Sequence, residues 1–439
     1  MKTFSGKRGI VLVLAGSLLL LASGAFHASL IDMRKSRHLQ QVAPEDTTPL
    51  VAVTTVAFGG FRGLVADALW VRANKMQEEG QYFEMVQLAK WITQLEPRVP
   101  EVWSFQAWNL AYNISVLFPE YNDRWRWVNH GLDLLRKQGL KNNPNSPDLH
   151  WDIGWMFQHK IGMNFDSANQ FYKRKLMEQV EEILPEGRFD AATLDAEAKA
   201  NLEETFSMKP EKMQSLEDDF GPLDWRLPDT HALYWSTVGL DYARKPFDER
   251  RLRRMRMQSL AALVRGGKIL ASDDREVQIR IPRLDLMDPV IAEYQAMLGD
   301  TPHNHYLQKG YGNFLNDATL LNADYGNLDA AFTYYELLAE MEENLPSGRE
   351  NFQRYIQMEL TRDPRELSYD QAMSRIVALI LQSNETADPI RSRSFIQSAR
   401  QLHLLYQQGR INPEHKERTG LPPFETMVSL VEKRRERGF

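Results

Sequence analysis

The chain contains no cysteine, so it has no disulfide, no thiolate metal site and no thiol nucleophile. It has no basic excess either: 53 Lys and Arg face 59 Asp and Glu, for a formal net charge of −6. That balance disfavours nucleic-acid partners, which need a basic surface. No His-Glu-x-x-His zinc helix and no Gly-x-Ser-x-Gly elbow occurs. The glycine-rich stretches GGFRG and RGGK do not have phosphate-loop spacing. No cofactor, no metal and no catalytic residue is therefore expected. Hydrophobic content of 43% and charged content of 26% exclude a disordered chain.

Long apolar runs are absent except at the N-terminus. Residues 9–30 carry no acidic or basic side chain apart from His27, and as a helix they would span about 33 Å. Lys2, Lys7 and Arg8 precede the run, and Arg34, Lys35 and Arg37 follow it. Two readings stand: an uncleaved anchor, or a signal peptide cut near Ala22-Ser23-Gly24. The charge flanks place residues 1–8 in the cytoplasm and the bulk of the chain outside it, periplasmic and tethered to the inner membrane. The absence of cysteine fits an exported chain. Residues 31–55, polar and with Pro44 and Pro49, read as a stalk.

From residue 56 the pattern is helical. Leu64, Ala68, Val71 and Lys75 form one line, with Leu69, Ala73 and Met76 beside it. Period-two alternation is confined to Lys268–Asp285, where Val277, Ile279 and Ile281 alternate with Gln278 and Arg280. This predicts a β-hairpin inserted at 266–290. Helices are expected near 349–361, 368–383, 390–408 and 423–436, the second opened by a capping box of Ser368 and Gln371.

Ala73 and Ala107 lie 34 residues apart, each with a large apolar residue four before (Leu69, Trp103) and three after (Met76, Leu110). That period marks a helix–turn–helix array. The small residue lets a second helix come close, and the large ones fill the groove. Gly80 allows the sharp turn, and Pro97 ends the returning helix.

These residues resemble the tetratricopeptide repeat. In HALYWSTVGLDYA, Trp235, Val238, Gly239 and Tyr242 match its first half. Ile153, Gly154 and Phe157 match in LHWDIGWMF, with His150 at the tryptophan position, and Trp103, Ala107 and Leu110 match in VWSFQAWNL. Ala168 with Tyr172, and Ala331 with Tyr335 after Gly326, match the second half. The likeness covers about 60–175, 228–265 and 306–345. It breaks at an insertion between Leu110 and Arg124, at an acidic and poorly patterned segment 178–227, and at the hairpin. The resemblance implies an all-α, helical-hairpin solenoid over 56–265, with further helical repeats over 291–439. Leu69, Ala73, Trp103, Ala107, Gly154, Phe157, Trp235, Gly239, Tyr242, Ala331 and Tyr335 would be its packing residues. The whole chain also resembles single-span bacterial envelope proteins with degenerate repeats, which implies a location.

All ten tryptophans fall between Trp70 and Trp235. Packing explains aromatics at helix contacts. A concave partner-binding surface would use some of them, and Trp108, Arg124, Trp125, Arg126, Trp127, Trp151 and Trp155 are the candidates. Trp125 and Trp127 cannot both face one way on a helix. Arg250, Arg251, Arg253, Arg254 and Arg256 crowd two turns, either as a solvated face or as a site for an acidic partner or lipid headgroups. His303 and His305 have no third metal ligand nearby. The expected function is a membrane-tethered, non-catalytic scaffold that binds a protein or peptide partner in the envelope. A carbohydrate- or lipid-handling protein is the alternative, including a glycan-cleaving enzyme using carboxylates such as Asp123, Asp152 and Asp166.

Overall fold

The computed structural model describes residues 62–410 and 412–436. The anchor or signal at 9–30 and the stalk at 31–55 lie outside the described residues. Among those described, no helix is long and apolar enough to cross a membrane. The chain divides into two units, Met1–Val65 and Ala66–Phe439, and the second holds everything that follows except the first turn of α1.

The described residues are predominantly helical, 75% helix against 2% strand. Before the sheet, apart from the single turn Leu140–Asn142, the α-helices are α1 (Arg62–Glu78), α2 (Tyr82–Leu95), α3 (Pro100–Trp108), α4 (Tyr121–Asp133), α5 (Pro147–Trp155), α6 (Asn169–Glu181), α7 (Ala196–Phe206), α8 (Pro210–Phe220), α9 (Pro228–Leu240) and α10 (Pro246–Gly266). Six of these begin or nearly begin with proline or follow a serine or aspartate cap, which leaves no unsatisfied donor at the proline. Strands β1 (Lys268–Ala271) and β2 (Gln278–Ile281) form the expected antiparallel hairpin, with Lys268 opposite Ile281 and Ala271 opposite Gln278. Then come α11 (Met287–Asp300), α12 (His305–Asp324), α13 (Leu328–Met341), α14 (Arg349–Leu360), α15 (Tyr369–Glu385), α16 (Pro389–Gln408), α17 (Pro413–Thr419) and α18 (Phe424–Glu436). Ser368 and Gln371 cap α15 reciprocally, as their spacing predicts.

Consecutive helices pack against one another, most closely α9 with α10, α15 with α16 and α12 with α13, while α9 also packs on α5. Gly80 and Gly326 take left-handed backbone, φ +72° and +82°, at the turns before α2 and α13. Gly154 and Gly239 work differently. A Cβ on Gly154 would meet Met255 Sδ at 2.6 Å, and one on Gly239 would meet Leu252 Cδ2 at 2.8 Å and His150 Cβ at 3.0 Å. These two glycines let α5, α9 and α10 touch. Ala73, Ala107, Ala331, Tyr335, Trp103, Phe157 and Trp235 are buried, and Leu69 and Tyr242 are half-buried.

Three features depart from the sequence reading. The line through Ala68, Val71 and Lys75 is solvent-facing, with Val71 72% exposed, because Ala66 and Ala73 mark the buried side of α1. The insertion after Leu110 extends α3 through the π-helical segment Asn109–Ile114 and a 3₁₀ turn, Ser115–Leu117. The poorly patterned segment 178–227 is folded: Leu202, Phe206, Met213, Leu216 and Trp225 join the main core.

Three cores result. The largest runs from Ala73 to Leu338 and includes Ile269 of β1. A second joins α15, α16 and α18 to Ile279 and Ile281 of β2. A small third one links α12, α13 and α14 through Leu320, Ala331, Tyr335, Phe352 and Ile356.

Candidate functional site

A cavity of about 1020 Å³ opens between α5, α10, α11 and α12, at the large end of ligand-binding sites. Trp151 and Trp155 on α5, the Met163–Phe165 loop, and Phe247 at the start of α10 supply apolar wall. Tyr294 and Met297 on α11 and Tyr306 and Leu307 on α12 supply more. Lys173 of α6, Asp229 of α9, Arg280 of β2, and Tyr369 and Asp370 of α15 complete the lining. The sequence positions involved thus span seven helices and a strand.

The aromatic wall is a rail. Trp151, Trp155 and His159 stand four residues apart on one helical face, α5 continuing through the π-helical Met156–Gly162. Ring centroids are 5.2 Å apart for Trp151 and Trp155, then 4.8 Å for Trp155 and His159, with planes within 15° and 13°. Phe165 packs on His159 at 5.2 Å, and the Arg251 guanidinium covers the other end, 4.7 Å from the Trp151 ring. Ring faces are therefore used up within the rail. Edges and the exposed Phe165 are what a ligand would meet.

The charges are unequal. Seven basic side chains line the cavity (Lys173, Arg250, Arg251, Arg253, Arg254, Arg265 and Arg280) against three acidic ones (Asp229, Asp300 and Asp370), in a chain of net charge −6. Most cations are already committed. Arg251 pairs with Asp148 at 2.5 Å, Arg253 with Asp300 at 2.6 Å, Arg265 with Asp317 at 2.7 Å and Arg280 with Asp229 at 3.6 Å. Arg256, on the same helix, pairs with Glu293 of α11. Lys173 Nζ donates to Asn164 Oδ1 at 2.6 Å and to Asn169 Oδ1 at 3.0 Å. Arg250 and Arg254 are exposed, and neither has a hydrogen bond or ion pair among the described residues. The crowded arginines of α10 thus separate into three tie-bars and two free cations one turn apart.

On the floor, burial pushes Lys173 down to about 7, with Arg280 adding to the shift. Burial likewise pushes the Asp229 carboxyl up, against the pull of Arg280 and with a push from Asp370. In both groups burial disfavours the charged form, because little water reaches them.

The sequence candidates separate. Trp151 and Trp155 line the cavity; Trp108, Arg124, Trp125, Arg126 and Trp127 do not. Trp108 stacks on Tyr112, 4.4 Å between centroids, and its indole donates to Asp152 Oδ1 at 3.4 Å. Trp125 is buried against Tyr172, whereas Trp127 meets Phe83 and Phe118. Arg124 is held by Asp166 at 3.1 Å and by the Phe118 carbonyl at 2.7 Å. Arg126 is exposed and pairs with Asp123 at 3.2 Å.

The carboxylates weighed for glycan cleavage also lie elsewhere. Asp166 is neutralised by Lys160 at 2.7 Å as well as by Arg124. Asp152 is buried, accepting from the Ser104 hydroxyl and Trp108, and burial raises it to about 6. His303 and His305 are exposed before and at the start of α12, and no group of three or more metal-ligating side chains occurs among the described residues. Sequence reasoning missed the floor, whose members lie up to 197 positions apart, Lys173 to Asp370. It did single out the arginine run, and the one available signal was five arginines against only Asp248 and Glu249.

No protein-family model matches this sequence, and no curated protein matches it.

Proposed function

We propose that the chain is a membrane-tethered, non-catalytic scaffold of the bacterial envelope, a solenoid of tetratricopeptide-like helical hairpins that holds a protein or peptide partner in the α5–α10–α12 cavity. Residues 9–30 serve as its anchor to the inner membrane, and the body faces the periplasm. The observation that carries this reading is the rim of the cavity. Phe165 is 65% exposed, Phe247 64%, Tyr306 81% and Met163 39%. Large apolar side chains gathered around a concave surface mark protein-interaction sites, and arginine and aromatics dominate their binding energy. Tethering would raise the effective concentration of such a site near other envelope components.

A photo-crosslinking residue placed at Phe165 in the full chain tests the reading in intact cells. Discrete protein adducts from that position, and none from exposed Leu404 of α16, are the expected result. Glycan turnover by the purified chain, with no protein adduct at Phe165, would replace it with the carbohydrate-handling alternative. One observation favours that alternative: Asp229 and Asp370 share the floor, and Asp229 is held above the ordinary carboxylate range. It requires that Asp229→Asn abolish turnover.

A further inference from the structure

We propose that the cavity selects an extended peptide segment in which acidic and apolar residues alternate, its carboxylates held by Arg250 and Arg254. The inference rests on the scaffold reading and adds the chemistry of the partner.

Four observations lead there. First, Arg250 and Arg254 are exposed cations with no hydrogen bond or ion pair among the described residues, beside Arg251, Arg253 and Arg256, each of which has an acidic partner. Satisfying neighbours while leaving two guanidinium groups open gives the wall a standing preference for anions. Second, the two lie four residues apart on one face of α10, about 6 Å along its axis. Residues i and i+2 of an extended strand point the same way and are about 6.6 Å apart. A Glu-x-Glu segment laid along α10 therefore matches both guanidinium groups. Third, the intervening side chains of such a strand point away from α10, and the lining beyond α10 includes a set of large apolar side chains: Trp155, Phe165, Met297, Tyr306 and Leu307. Fourth, competing polyanions fit poorly. A glycan would want open ring faces, but those of Trp151 and Trp155 are covered by each other, by His159 and by Arg251. A nucleic acid would meet Asp229 and Asp370 at the floor and a chain of net charge −6.

Lone exposed ion pairs contribute little, so the two arginines set selectivity while the apolar contacts supply most of the affinity. Binding should therefore depend on both features of the peptide.

The test uses the full chain and three fluorescein-labelled peptides read by anisotropy: an (Glu-Phe-Glu-Leu) repeat of twelve residues, the same peptide with Gln for Glu, and one of equal composition with the acids and apolar residues in separate blocks. The alternating acidic peptide should bind best. Its affinity should fall about tenfold in the Gln version, and by a similar factor in the Arg250→Ala/Arg254→Ala variant. Raising the salt should weaken binding of wild type but hardly that of the variant. Arg354→Ala, on α14 and outside the cavity, controls for loss of one surface cation. Circular dichroism establishes that the double variant is folded, as two exposed side chains predict.

Equal binding of the Glu and Gln peptides overturns the inference, as does an unchanged affinity in the double variant. Arginine-dependent binding to vesicles of anionic phospholipid, with none to the peptides, overturns it in favour of headgroups. Loss of the inference leaves the scaffold reading standing if the Phe165 crosslink persists in the double variant. If that crosslink is never seen while the alternating peptide binds through the two arginines, the peptide chemistry holds and the envelope scaffold does not.

Discussion

At the scale of single residues, Asp152 shows how burial without a counter-charge at hydrogen-bond distance sets a pH response. Its carboxyl is raised to about 6 by burial, opposed by the Ser104 and Trp108 hydrogen bonds and by more distant Arg251. An unfolded aspartate titrates near 3.9. Between these values the folded chain holds a proton that the unfolded chain has released. This side chain therefore favours folding increasingly as pH falls from about 6 to 4, and costs stability above 6. Asp152→Asn removes the charge and keeps the shape, since the Ser104 hydroxyl can turn to meet either amide atom. The variant should gain on wild type as pH rises from 4 to 7, by up to about 3 kcal/mol, because two pKa units correspond to roughly that difference. Urea unfolding of both proteins across that range checks it. A pH-independent difference would show that Asp152 titrates as an ordinary carboxylate.

At the scale of elements, the close contact of α5, α9 and α10 depends on glycine. The methyl group of Gly239→Ala would fall within 2.8 Å of Leu252 Cδ2 and 3.0 Å of the His150 Cβ. Leu252 is fully buried and cannot swing away, so the helices must part slightly. Overpacking of this kind costs about 1–3 kcal/mol. Gly80→Ala should cost about 1 kcal/mol for another reason: nothing lies within 4 Å of it, but its φ of +72° strains any side chain. Chemical denaturation of the two variants separates the mechanisms, because a second change, Leu252→Ala, should relieve the first and leave the second untouched. No relief would place the strain of Gly239→Ala elsewhere.

The same elements show how much the sequence disclosed. Periodicity located α14, α15, α16 and α18 to within two residues at every end, because each is long and one-sided. The hairpin was legible from three alternating β-branched residues, and α15's start from its capping box. The fold of 178–227 was not legible, since α7 and α8 are only 11 residues each and bury two or three side chains apiece. Nor was the site, apart from Trp151, Trp155 and the arginine run of α10. A local pattern tells that a helix has a polar face; it cannot tell that Arg251 and Arg253 will meet Asp148 and Asp300 while Arg250 and Arg254 will not.

At the scale of the whole second unit, the small sheet does more than its eight residues suggest. Ile269 of β1 belongs to the main core, whereas Ile279 and Ile281 of β2 belong to the C-terminal core. Buried Arg226 grips the Ile269 carbonyl at 3.0 Å, and Asp224 Oδ2 accepts from the Ile269 amide at 2.9 Å. The ladder between the strands therefore couples two hydrophobic bodies. Ile279→Ala should cost about 2–5 kcal/mol, the range for emptying a buried isoleucine site. Calorimetry should then show the α15–α16–α18 group melting in a separate, earlier transition. A single transition, merely shifted, would mean that other contacts suffice to couple the cores.

Arg280 stands between Ile279 and Ile281, at the base of the cavity and on the strand that both bodies grip. That base cannot shift without shearing four paired residues of backbone. Any widening to admit a guest must come from the lip, where Phe165 and Tyr306 project from a connecting loop and a helix start. The chamber is stiff where it carries buried charge and compliant where it is greasy, so a guest would be gripped from the rim inward.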